Sequence, residues 1–281
     1  MTSPLIDAAG LQALLGDPRL VVVDCRHNLL DVEQGERAHA ESHLPGAVFL
    51  HLDRDLSAPK TGKNGRHPLP DPQTFAALLA AKGIGADSFV VAYDQGNGMT
   101  ASRVWWMLRW IGHAHAAVLD GGFSGWKKQG LPLSTEAVRR APAANPIRPV
   151  PGSAPTLSAA EVLANIGTAQ RLLIDARAAD RFAGQNETID PVAGHIPGAA
   201  NRPFSENLTS EGRFKPTDVL KQEFAALLDG RDSTQVVHQC GSGVSACHNI
   251  LAAAIAGYPL QALYPGSWSE WIADPARPVA A

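Results

Sequence analysis

Short runs of apolar and β-branched residues punctuate the chain at positions 20–23, 89–93 and 117–119, and again at 172–174, 235–238 and 261–264. Between them lie longer stretches with apolar residues at helical spacing, so the pattern predicts strands alternating with helices. The second half shows this clearly. Ser158-Ala159-Ala160-Glu161 reads as a capping box ahead of Val162 and Leu163, residues 217–228 repeat apolar positions at helical spacing, and residues 244–256 form an unbroken helix former. Strands this apolar predict an α/β fold whose parallel sheets are covered by helices on both faces, with functional groups at the carboxyl ends of the strands.

The pattern also repeats. Asp24-Cys25-Arg26 returns as Asp175-Ala176-Arg177, and His43-Leu44-Pro45-Gly46-Ala47 as His195-Ile196-Pro197-Gly198-Ala199. The strand and loop from Val90 to Gly98 match those from Val236 to Gly243, and Gly121-Gly122-Phe123-Ser124-Gly125-Trp126 matches Gly266-Ser267-Trp268-Ser269-Glu270-Trp271. Four blocks in one order indicate a duplication. The predicted organisation is a first domain over residues 1–133, a Pro- and Ala-rich linker over 134–155 that neither continues a helix nor packs a core, and a second domain over 156–281.

Composition narrows the function classes. Of 281 residues, 45% are hydrophobic and 18% charged, which excludes a mainly disordered chain. A net charge of −3, with Lys and Arg scattered, speaks against a nucleic-acid partner. The longest apolar runs fall well short of a membrane span, and the N-terminus has neither a basic region nor a long apolar one, so a cytoplasmic location is expected, with no membrane partner. Three cysteines are too few and too uneven for a disulfide framework or a zinc site.

Chemistry concentrates in Cys240-Gly241-Ser242-Gly243-Val244-Ser245, where a cysteine ends a strand and precedes a glycine-bracketed turn and a helix. Such a turn aims backbone N–H groups and the positive helix end at the sulfur and favours the thiolate, while Ser242 and Ser245 add hydroxyls. A buried inert thiol is the bland alternative; it suits Cys25, within a strand, and Cys247, two helical turns past Cys240. In the first repeat the matching position holds Asp94 or Gln95, according to where a gap is placed, so only the second repeat carries a nucleophile. A phosphatase loop would need an arginine six residues after the cysteine, where Ala246 stands.

These motifs, with Arg181-Phe182 and Cys247-His248, resemble the tandem-domain rhodanese-like sulfurtransferases over nearly the whole chain. The resemblance implies an inactive N-terminal domain packed on an active C-terminal one, with a donor bound at the cleft between them. It also implies an enzyme that moves a sulfane sulfur from a small donor to a thiol or cyanide through a persulfide on Cys240. Within the family, the neutral loop is similar to that of the 3-mercaptopyruvate sulfurtransferases rather than the cationic loop of thiosulfate sulfurtransferases. By the same resemblance Cys240 and Ser242 are catalytic; Arg181, Gly241, Gly243, Val244 and Ser245 bind substrate; and Asp175 and His43 support the site, with Asp31 the candidate partner of His43. The chain departs from the family in having no second arginine between positions 183 and 194. No cofactor or metal is implied. The expected acceptor is a thioredoxin-like protein or small dithiol, and the alternatives are a thiosulfate sulfurtransferase and a non-catalytic persulfide carrier. His195 is expected to fix its turn, Trp268 and Trp271 to fill the core, and His238 to be a satisfied strand residue, with pairing to Cys240 as the alternative.

Overall fold

The computed structural model describes residues 3–281, and the contacts within it divide the chain into two compact units. The first comprises the chain up to Ala58 with Pro70–Ser153 and Ser210–Phe214; the second comprises Pro59–Leu69, Ala154–Thr209 and Lys215–Ala281. The units therefore depart from the sequence boundaries in three ways. Pro59–Leu69 belongs to the second unit, Ser210–Phe214 to the first, and most of the stretch expected to be a linker belongs to the first. That stretch packs after all: Ile147 is buried, Ala143 N–H donates to the Ala80 carbonyl, and Ala86 N–H donates to that of Asn145. A proline-rich segment cannot propagate a ladder, yet single carbonyls and one apolar side chain suffice to pin it.

In the first unit, strands β1 (Leu5–Ile6), β2 (Leu20–Asp24), β3 (Val48–Phe49), β4 (Phe89–Tyr93) and β5 (Ala116–Leu119) form a parallel sheet in the order β1-β5-β4-β2-β3. Helices α1 (Ala8–Leu14), α2 (Gln34–Glu41), α3 (Pro72–Ala81), α4 (Met99–Trp110) and α5 (Gly122–Lys128) flank it. Every residue of β2 is buried, as a strand covered on both faces requires. Helix α3 starts where Asp71 accepts from the N–H groups of Gln73 and Thr74 and Pro72 presets the first turn.

The second unit repeats the plan with β6 (Leu172–Asp175), β7 (Ala200–Asn201), β8 (Val236–Gln239) and β9 (Ala262–Leu263), parallel in the order β7-β6-β8-β9. Its helices are α6 (Ala159–Thr168), α7 (Ala179–Phe182), α8 (Thr217–Leu228), α9 (Ser245–Ile255) and α10 (Ser267–Trp271). The capping box of α6 is formed reciprocally by Ser158 and Glu161. The counterpart of β1 shrinks to a single bridge between Thr156 and Leu263. The core beneath the sheet gathers Val162, Leu173, Ile196, Val237, Tyr264, Trp268 and Trp271. Among the described residues, no helix is long and apolar enough to cross a membrane.

Candidate active site

Cys240 follows the last residue of β8, and its sulfur accepts the N–H of Gly243 at 3.1 Å. The turn depends on Gly243, whose φ is +77° and where a Cβ would come within 2.4 Å of the Pro265 carbonyl oxygen. The loop is stitched to α10. Cys240 N–H donates to Ser267 Oγ at 3.1 Å, Trp268 N–H donates to the Cys240 carbonyl, and Ser269 N–H donates to that of Gly241. Val244 precedes helix α9 and Ser245 opens it, so the start of an 11-residue helix lies directly beyond the sulfur. Cys240 itself is 2% exposed.

Charged side chains converge on Gly241. A Cβ there would lie 2.9 Å from Arg66 Nη2, 3.8 Å from Asp190 Oδ2 and 3.9 Å from Arg181 Nη2. Arg181 donates from Nη2 to Asp190 Oδ2 and to Glu187 Oε1, both at 3.0 Å, while Arg66 Nη1 pairs with the other Asp190 oxygen. Burial works to raise the Glu187 carboxyl, but the N–H groups of Asp190 and Ile189 and the Arg181 guanidinium outweigh it and hold Glu187 below the usual carboxylate range. Arg66 also anchors by its backbone, donating to Ser269 Oγ at 2.9 Å, and its Nε is buried with no hydrogen-bond partner among the described residues. On the other side of the loop, His67 Nδ1 lies 2.8 Å from Ser242 Oγ, in hydrogen-bond contact, with both residues buried.

Other residues singled out from the sequence fall in place around this frame. Asp175 takes the Arg177 guanidinium at 2.7 Å with both side chains buried, and Arg177 reaches on to the Gly194 carbonyl and lies over the Trp268 ring. His195 stacks on Phe182 and contacts its carbonyl, which ties the turn it precedes to the end of helix α7, the helix that carries Arg181. His238 contacts Gln261 Oε1 at 2.6 Å, and burial pushes its pKa down to about 4, so it is a neutral strand residue rather than a partner of the cysteine. Trp268 and Trp271 are core. Cys25 donates to the Tyr93 carbonyl and burial pushes its thiol up, and Cys247 donates to the Gly243 carbonyl.

His43 requires correction. Its two ring nitrogens face the carbonyls of His39 and Glu136 within the first unit, and it stacks on His39, so it has no ring nitrogen left to serve a reacting group. Asp31 does not pair with it; its carboxylate takes Arg37 on the surface. The histidine that touches the loop is His67.

The first unit settles the alignment of the silent loop. Tyr93 ends β4 opposite Asp24 as Gln239 ends β8 opposite Asp175, and Phe123 N–H donates to the Asp94 carbonyl as Trp268 N–H does to that of Cys240. Asp94, not Gln95, is therefore the counterpart of Cys240. Its carboxylate accepts from the N–H groups of Gly96, Gly98, Thr100 and Ala101, and burial raises its pKa against those donors.

Four residues at the second-unit site went unrecognised in the sequence: Arg66, His67, Glu187 and Asp190. A signal for the first was present. Gly65-Arg66 stands a few residues before α3 just as Gly212-Arg213 stands before α8, and both glycines have positive φ, so this is a fifth matched block that shorter spacing in the second repeat obscures.

Comparison with known proteins identifies the family. The rhodanese-like domain family matches residues 7–129 and 158–274. A Pseudomonas aeruginosa protein described as a probable 3-mercaptopyruvate sulfurtransferase is 49% identical over 281 residues, covering 99% of this chain and 98% of that protein. The thiosulfate sulfurtransferase of Cricetulus griseus is 36% identical over 90% of this chain and 85% of its own length. The crystal structure of SseA from Escherichia coli, described among the 3-mercaptopyruvate sulfotransferases, superposes with a TM-score of 0.81 at 32% identity over 95% of this chain and 99% of that one. With both repeats matched and relatives similar along the full length, the chain belongs to the rhodanese family, as a tandem-domain sulfurtransferase.

Proposed function

We propose that the chain transfers sulfur from 3-mercaptopyruvate to a thiol or cyanide by way of a persulfide on Cys240. The carrying observation is the pair of guanidiniums, Arg66 and Arg181, that meet beside Gly241, one residue from the nucleophile. A carboxylate three bonds from the reacting sulfur suits such a pair, because planar guanidiniums bind carboxylates through two donors, and the buried Arg66 Nε is one donor not otherwise engaged. Arg66 takes the part of the arginine that is missing between positions 183 and 194.

In the reaction, the Cys240 thiolate attacks the donor sulfur, the donor carbon–sulfur bond breaks, and the electron pair leaves with pyruvate enolate, which takes up a proton. Loop N–H groups receive the negative charge on the outer sulfur of the persulfide, the Gly243 N–H already facing Sγ. The Ser242 hydroxyl, oriented by His67, is placed to relay the proton. A thiolate of a small dithiol or thioredoxin-like protein then attacks the outer sulfur, the sulfur–sulfur bond breaks, and Cys240 is regenerated.

Intact mass spectrometry of the reduced chain after brief exposure to 3-mercaptopyruvate, or separately to thiosulfate, tests this. The expected result is a gain of one sulfur atom from 3-mercaptopyruvate that is lost in Cys240→Ser. Loading from thiosulfate alone would make the chain a thiosulfate sulfurtransferase, and loading from neither would make it a carrier fed by another protein.

A further inference from the structure

We propose, resting on that reading of the donor, that Asp190 determines donor selectivity by holding the charge beside Gly241 near neutral, so that a monoanionic carboxylate is accepted and a dianion such as thiosulfate is disfavoured. The Asp190 carboxylate sits between the two guanidiniums, with one oxygen on Arg66 and the other 3.0 Å from Arg181. Its side chain is 2% exposed, and the backbone around it is fixed by the N–H groups of Ile189 and Asp190, which both donate to Glu187 Oε1. Glu187 adds a second carboxylate to Arg181. With Arg177, 3.7 Å from Glu187 and itself paired with Asp175, three cations therefore meet three anions. Attraction scales with the product of charges, so each unit of positive charge favours a dianion twice as strongly, in logarithmic terms, as a monoanion. A side chain added at position 241 would first have to displace the Arg66 guanidinium, 2.9 Å from where its Cβ would lie.

The test is kcat/KM for 3-mercaptopyruvate and for thiosulfate, with cyanide as acceptor, in the wild-type chain and in Asp190→Asn at low and high ionic strength. The thiosulfate-to-mercaptopyruvate ratio should rise about tenfold in the variant, and the salt dependence for thiosulfate should steepen. Both donors use the same arginines, so a mere loosening of the guanidiniums lowers both rates, the dianion's at least as much, and cannot raise the ratio. A folded Asp190→Asn chain with an unchanged or lower ratio overturns the inference. If that variant does not fold, Glu187→Gln removes the same charge from Arg181 and must move the ratio the same way. A wild-type chain that uses no 3-mercaptopyruvate at all defeats the donor reading itself, which separates the two failures.

Discussion

Arg66 Nη2 stands 2.9 Å from the point at which residue 241 would place a Cβ, closer than real Cβ atoms approach a heavy atom. A side chain next to the nucleophile would thus press on the guanidinium of an arginine 175 positions earlier. Gly241→Ala should displace the guanidinium and lower kcat/KM for a carboxylate donor about tenfold, or about 1.4 kcal/mol in transition-state binding. In the Arg66→Ala/Gly241→Ala chain the two losses should combine to less than their sum, because the methyl group then meets only ordinary van der Waals contacts with Asp190 and Arg181; a double-mutant cycle reads this directly.

The contact between His67 and Ser242 predicts a different kinetic signature. Ser242→Ala should lower kcat by about a hundredfold, the lower end of the range for a proton-relaying group, and leave KM nearly unchanged, since neither side chain belongs to the arginine cluster. His67→Ala should resemble it, and the doubly substituted chain should be little worse than either single one. Steady-state kinetics on the three variants would show additive losses if the residues acted separately.

His238 makes stability depend on pH. Burial lowers its pKa to about 4 from an ordinary 6.5, so between those values the unfolded chain binds a proton that the folded chain refuses. Its contribution is complete above pH 6.5, falls at up to about 1.4 kcal/mol per pH unit as the pH drops toward 4, and levels off below. Urea unfolding of His238→Asn between pH 7 and 4.5 should accordingly show a shallower decline than the wild-type chain.

In the first unit, Asp94→Ala should cost about 3–5 kcal/mol, because four backbone N–H groups, three of their bonds buried, lose their acceptor together. Asp94→Asn should also destabilise, since one face of its amide turns donors toward donors. Urea unfolding on the full chain measures both.

The strands over residues 20–24, 89–93 and 236–239 were legible because each carries a run of adjacent apolar, β-branched residues, as covered parallel strands do, and α6 because its cap is written in four consecutive residues. Strands β1, β3 and β7 were not, since two residues carry no period and exist only through their neighbours. The nucleophile could be read because glycine, serine and helix lie beside it in sequence. Arg66 and His67 could not be placed at the loop that way: they belong to a segment of the first repeat that folds with the second unit, and nothing local to them points to Cys240. His43 misled for the converse reason, as a histidine ahead of Pro-Gly matches a motif while its ring serves carbonyls of its own unit.

An aspartate places its charged oxygen two bonds beyond Cβ, the same reach as the outer sulfur of a persulfide on cysteine. With Asp94 at the position of Cys240, the first unit holds a fixed likeness of the loaded loop, its four N–H donors closed around a carboxyl group that never leaves. The loop of the second unit differs in having to fill and empty. What separates a catalyst from a structural element in this duplicated chain is whether the charge in the cradle is a passenger or part of the frame.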